Sequence, residues 1–168
     1  MINIYIAEQK DYPIIQDIAN QTWYPTFQDI LSVEQIKYML EMMYSITSIS
    51  EQVRQQGHIF LLAQEGANNI GYASYETNYK DSEKTKIHKI YVLPTTQGKG
   101  VGKKLIQRIE EIAIQAGNSI LTLNVNRNNN AVRFYEKIGF AKIGTEDIDI
   151  GNGFLMEDFI MDKKITEI

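Results

Sequence analysis

The sequence contains no cysteine, which excludes disulfides, thiolate nucleophiles and any zinc site built on Cys. Histidine is almost as scarce. His58 and His88 are the only imidazoles, 30 positions apart, so no metal is expected. No stretch approaches the roughly 18–20 apolar residues of a membrane-crossing helix. The N-terminal MINIYIAEQKDYP has no basic segment leading into an apolar run. These absences predict a cytoplasmic protein with no membrane partner. Basic excess is missing as well: the net charge of −4 argues against nucleic acid and suits a cationic small molecule or peptide. No linker, repeat or shift in composition interrupts the 168 residues, so 1–168 is expected to form a single domain, working as a monomer or homodimer.

What is present reads as alternating secondary structure. INIYI sets Ile2, Ile4 and Ile6 on one face at period two, the pattern of a strand. Asp11 with Pro13 in the next turn opens a helix through about Asn20. Ser32 with Gln35, and Ser48 with Glu51, have capping-box spacing and predict two more helices, the second ended by Gly57. HIFLLAQ, IGYASYE and KIHKIYVLP, separated by GANN and a polar turn around Lys80–Lys84, read as a strand meander. Val101, Leu105, Ile109, Ile112 and Ala116 recur at helical spacing opposite Lys103, Lys104, Arg108, Glu110 and Glu111. SILTLNV is a buried type of strand, Asn130 to Ile138 a short helix stopped by Gly139, and strands follow near 140–149 and 153–162. This order predicts an α/β (α+β) fold: a mixed, mostly antiparallel twisted sheet of about seven strands with helices on both faces.

One stretch departs from ordinary composition. QGKGVGKK, residues 97–104, puts glycine at every second position between a strand and a helix. Such a loop exposes backbone N–H groups and the positive end of a helix dipole to one point, which attracts phosphate. A flexible turn is the plainer reading. The phosphate loop G-x-x-x-x-G-K-[ST] does not fit, since Gly98 and Gly102 are too close, and G-x-G-x-x-G fails because Lys103 stands where the third glycine belongs.

Gln97, Gly100 and Gly102 do fit a Q/R-x-x-G-x-G/A loop. With IYVLPTTQGKGVGKKLIQRIEEIA and NNNAVRFYEKIGF in this order, the sequence resembles the GNAT superfamily of acetyl-coenzyme A dependent N-acetyltransferases. The resemblance implies acetyl-CoA as cosubstrate and no metal. It implies that main-chain N–H groups across Gln97, Gly98, Lys99, Gly100, Val101, Gly102 and Lys103 take the pyrophosphate. Tyr91 and Val92, ending the preceding strand, hold the pantetheine arm, as does Asn130, whose alternative role is N-capping. Tyr135 corresponds to the tyrosine near the coenzyme sulfur that acts as general acid, and a phenol with an ordinary pKa of about 10 stays protonated for the task. On residue type alone, Phe134 and Tyr135 also suit a core.

An alkylamine arrives as an ammonium and needs a proton acceptor. His88 lies four residues before Val92 on one strand face and is the candidate base, directly or through water; a strand histidine without a role is the other reading. Without cysteine, direct attack in a ternary complex is expected. Trp23, Tyr24, Phe27 and Tyr38 are candidates to wall an acceptor channel, with Glu34, Glu41 and Asp149 drawing in distant ammonium groups; core aromatics and solvated charges are the alternatives. TWYPTF…LSVEQIKYMLEMMYS resembles the bacterial spermidine/spermine acetyltransferases linked to protease production and sporulation, which implies a polyamine acceptor. A protein lysine or N-terminal amine as acceptor, and a non-catalytic acetyl-CoA sensor, are the competing expectations.

Overall fold

The computed structural model describes residues 1–165. Among the described residues, seven strands form one sheet in the order β1-β2-β3-β4-β5-β7-β6. β1 with β2, β2 with β3, β5 with β7 and β6 with β7 pair antiparallel, whereas β4 with β5 is parallel. By internal contacts the chain divides into two compact units, Met1–Glu76 with His88–Ile109, and Thr77–Ile87 with Glu110 onward.

The first unit opens with β1 (Ile2–Ile6), followed by α1 (Tyr12–Phe27), α2 (Val33–Tyr44) and α3 (Ile46–Arg54). α1 runs well past the expected end at Asn20, because its apolar stripe continues. Ile15, Ile18, Ala19, Trp23 and Phe27 are buried at three- and four-residue spacing, and Thr22 bonds back to the Ile18 carbonyl at 2.9 Å. Pro25 removes one donor near the helix end without stopping it. Ser32 caps α2 as expected, accepting from Gln35 N–H at 3.1 Å. The next helix starts earlier than Ser48 suggested: Ser45 is its cap, accepting from Ser48 N–H at 3.1 Å, and the Ser48 hydroxyl bonds the Met42 carbonyl. Then come β2 (Ile59–Glu65), β3 (Asn68–Glu76) and the distal part of β4 (Lys84–Val92), which leads into α4 (Val101–Gln115). The meander runs where HIFLLAQ, IGYASYE and KIHKIYVLP placed it.

In the second unit, β5 (Ile120–Asn126), α5 (Ala131–Lys137), β6 (Ala141–Gly151) and β7 (Phe154–Lys164) follow the end of α4. Leu121, Leu123 and Met161 are buried on one sheet face, and Leu123 lies directly opposite Met161. Pairing of β4 with β5 covers only Lys84–Ile87 against Ile120–Leu123, and the boundary between the units falls at the same place. Among the described residues, no helix is long and apolar enough to cross a membrane.

Candidate functional site

The glycine loop is held at both ends. Before it, a one-turn 3₁₀ segment, Pro94–Thr96, reverses the chain after β4, and buried Thr96 returns both its N–H and its hydroxyl to the Leu93 carbonyl at 2.9 Å. After it, the Lys104 N–H to Gly100 carbonyl bond at 3.0 Å starts the α4 ladder. Gly98 and Gly100 have φ of +89° and +76°, where an L side chain is strained, and nothing stands within 4 Å of the place a Cβ would take. The backbone is therefore bare for a ligand's approach, and the first-turn N–H groups of α4 lack acceptors within their own helix. That donor set fits a diphosphate. Gln97, Lys99 and Lys103 are exposed, and Lys99 makes a loose surface pair with Glu65 at 3.4 Å. Val101 is buried at 2% exposure and anchors the first turn.

The strand before the loop is fixed by aromatic packing. Tyr91 packs with tilted rings 5.6 Å from Trp23 and 5.8 Å from Tyr72, while Trp23 packs 4.5 Å from Phe27. Tyr72 and Tyr44 share a buried hydroxyl bond of 2.7 Å, with Trp23 Nε1 donating to the Tyr44 oxygen at 3.4 Å. Gly71 on β3 lets this strand come close: a Cβ there would lie 3.0 Å from the Tyr91 carbonyl and 3.4 Å from side chains of Val92 and Val101. The main chain of Tyr91 and Val92 is thus set by packing from one side.

In the second unit, Asn130 precedes α5 and is exposed, and its side chain does not cap the helix. Asn129 does so instead, accepting from Ala131 N–H at 2.9 Å. Tyr135 is buried at 6% exposure, edge-on to Phe134 at 5.4 Å and Phe140 at 5.6 Å, whereas Phe134 is 37% exposed. Burial pushes the Tyr135 phenol well above its usual range, because a phenolate would lose its hydration there.

His88 does not stand alone on β4. Its Nε2 lies 3.0 Å from Glu76 Oε1, and its ring stacks on His58 with centroids 3.8 Å apart and planes 14° from parallel. Separation in sequence had argued against the two histidines meeting. The meander overrides it: β2 and β3 pair with Ile59 opposite Tyr75, which brings His58 and Glu76 to one level of the sheet next to β4. Burial, and then the Lys89 ammonium, push His58 down to about 4. Lys89 is itself pushed down to about 8 by burial, with its Nζ 2.7 Å from Gln52 Oε1 and over the rings of Phe60 and Tyr44.

The acetyltransferase (GNAT) family profile matches residues 13–140. The chain belongs to this family. It is an N-acetyltransferase, with the mixed seven-stranded sheet of its relatives. The crystal structure of PaiA N-acetyltransferase from Thermoplasma acidophilum in complex with coenzyme A superposes with a TM-score of 0.82 at 29% identity, over 98% of this chain and 99% of that one. A spermidine N(1)-acetyltransferase of Thermoplasma acidophilum is 29% identical over 88% of this chain and 91% of its own. An uncharacterized N-acetyltransferase of Lactobacillus delbrueckii subsp. lactis is 24% identical over 98% of each chain.

Within this GNAT chain the candidate acceptor residues separate by environment. Trp23 and Phe27 lie in the core at 2% exposure each, Tyr38 is half-buried, and Tyr24 is exposed. Glu34 and Glu41 are on the surface of α2, and Asp149 accepts from Gly151 N–H at the end of β6. Glu76 and His58 were not among the candidates drawn from the sequence. Aligning HIFLLAQ against IGYASYE as an antiparallel hairpin is the signal that joins them to His88.

Proposed function

We propose that the chain moves an acetyl group from acetyl-CoA to a primary amine by direct attack within a ternary complex, and that the acceptor is a polyamine. The observation that carries this reading is the loop at residues 97–103, with positive φ at Gly98 and Gly100 and the unsatisfied first turn of α4 behind it. Its main-chain N–H groups hold the diphosphate of the substrate. β4 from His88 to Val92 runs beyond the rungs it shares with β5, and its amides at Tyr91 and Val92 receive the pantetheine arm, joined by the Asn130 side chain. A main-chain donor there also faces the thioester oxygen as it becomes negative.

The proton account closes with two residues. His88 takes one proton from the substrate ammonium, leaving a lone pair on nitrogen to attack the thioester carbon. Collapse of the tetrahedral adduct breaks the C–S bond, Tyr135 gives its proton to the departing sulfur, and the surplus proton left on nitrogen restores the phenol. Burial of Tyr135 keeps that proton available. For the acceptor, the spermidine N(1)-acetyltransferase relative and the surface carboxylates Glu34 and Glu41 support a polyamine. Tyr24 and Tyr38, the candidate aromatics outside the deep core, wall its path, and Trp23 and Phe27 hold the wall from behind.

Thiol release from acetyl-CoA tests this with spermidine, a lysine-containing peptide and amino acids as acceptors. Spermidine-dependent release matched by N-acetylspermidine is the expected result. Release with the peptide alone would replace the polyamine with a protein acceptor.

A further inference from the structure

His58, Glu76 and His88 offer two imidazoles and a carboxylate whose ligand atoms lie within 4.8 Å of one another. The ring geometry decides what they do. A metal ion lies in the plane of an imidazole it binds, because the nitrogen lone pair is in that plane. Two rings stacked face to face at 14° cannot both aim lone pairs at one point without leaving the stack. The arrangement is built for a proton instead. His88 Nε2 donates to Glu76 Oε1 at 3.0 Å, whereas His58 Nε2 is 4.0 Å from the same oxygen, too far to share the bond.

We propose that Glu76 and His58 are positioning residues for His88 as the proton acceptor of acetyl transfer: Glu76 fixes the ring's tautomer and stabilises the imidazolium, and His58 clamps the ring plane. This rests on the reading of His88 as base. With Nε2–H held by the carboxylate, the neutral ring carries its lone pair on Nδ1. The N–H bond of the ammonium breaks, its proton joins Nδ1, and the ring's new positive charge sits against Glu76, to be released to water after turnover.

His58 serves best by staying neutral. Its side chain is 9% exposed, and its Nδ1 is buried with no hydrogen-bond partner, so the charged form is poorly solvated there. Two stacked imidazolium rings would repel, so a neutral His58 leaves His88 as the ring that takes the proton. Glu76 on β3 and Lys89 on β4 face the pair, and the latter's charge adds to the pressure on His58.

The test compares pH profiles of kcat/KM for wild type, E76Q, H58A and H58F. E76Q keeps an acceptor for Nε2–H but loses the charge, so kcat/KM should fall about tenfold or more. Its acid limb should move down by about one pH unit, with the coenzyme KM unchanged. H58A should lower kcat several-fold, about 3- to 10-fold, and H58F, which restores a flat ring, should recover most of that loss. Thermal unfolding of each variant separates misfolding from these effects. A wild-type pH profile in E76Q, or H58F no better than H58A, would overturn the proposal. So would one equivalent of zinc bound by wild type and lost in E76Q. Two-bond ¹H–¹⁵N correlation spectra give a readout independent of turnover: His88 should be the Nε2–H tautomer in wild type and mixed in E76Q. If wild type transfers no acetyl group to any amine, the base reading fails, while the spectra still decide whether Glu76 sets the ring.

Discussion

Gly100→Ala isolates the backbone geometry of the coenzyme loop. At φ +76° an alanine pays about 1–2 kcal/mol for the left-handed conformation. No atom lies within 4 Å of the new methyl, so the penalty is conformational and carries no clash. A free loop escapes that cost by relaxing to another conformation, and coenzyme binding must then restore it. The penalty therefore appears as lost affinity, about 5- to 30-fold in the coenzyme A Kd by calorimetry. Gly117→Ala is the control. Its φ of +80° and open surroundings match, but it ends α4 about 22 Å along the helix from the loop. That variant should lower Tm by about 2–8 °C and leave the Kd unchanged. Coenzyme binding by G100A at wild-type affinity, or equal weakening in G117A, would refute the assignment of residues 97–103 to the diphosphate.

Three further outcomes are expected. Tyr135→Phe should cut kcat by about 10²-fold or more in stopped-flow thiol release while coenzyme affinity stays within about twofold; full activity removes Tyr135 as the acid. Gly71→Ala puts a methyl 3.0 Å from the Tyr91 carbonyl, so it should destabilise by about 1–3 kcal/mol in urea unfolding and weaken coenzyme binding, which an unshifted Kd would contradict. His58, held down to about 4 against an unfolded value of about 6.5, contributes stability that is complete above pH 6.5 and is lost as pH falls toward 4. By pH 5 the loss is about 1–2 kcal/mol once solvent screening is allowed for, and His58→Phe should abolish it in urea titrations at pH 7 and pH 5. Parallel stability curves for the two proteins would show that His58 does not titrate abnormally.

The order of elements along the chain and the place of the glycine loop were legible because each is local: apolar runs bounded by polar turns mark β2, β3 and β4, and the glycines fall between a strand and an amphipathic helix. Helix ends were less so. Pro25 lies in the last turn of α1, where the carbonyl it leaves without a partner belongs to exposed Gln21, and two serines three positions apart compete to cap α3. The burial of Trp23 and Phe27 follows once α1 is carried through to Phe27, since they extend the stripe of Ile15, Ile18 and Ala19. Large aromatics serve a core and a substrate wall equally well, so residue type alone does not separate them. The Glu76–His88–His58 stack was hidden for a different reason. It depends on the lateral register of β2, β3 and β4, and a count of residues between two histidines carries no information about that.

A crystal structure with bound coenzyme A tests the central claim most directly. The account predicts diphosphate oxygens within hydrogen-bonding distance of main-chain nitrogens between Gly98 and Lys103, with the pantetheine amides on Tyr91 and Val92. A diphosphate bound elsewhere, with the loop untouched, would contradict it.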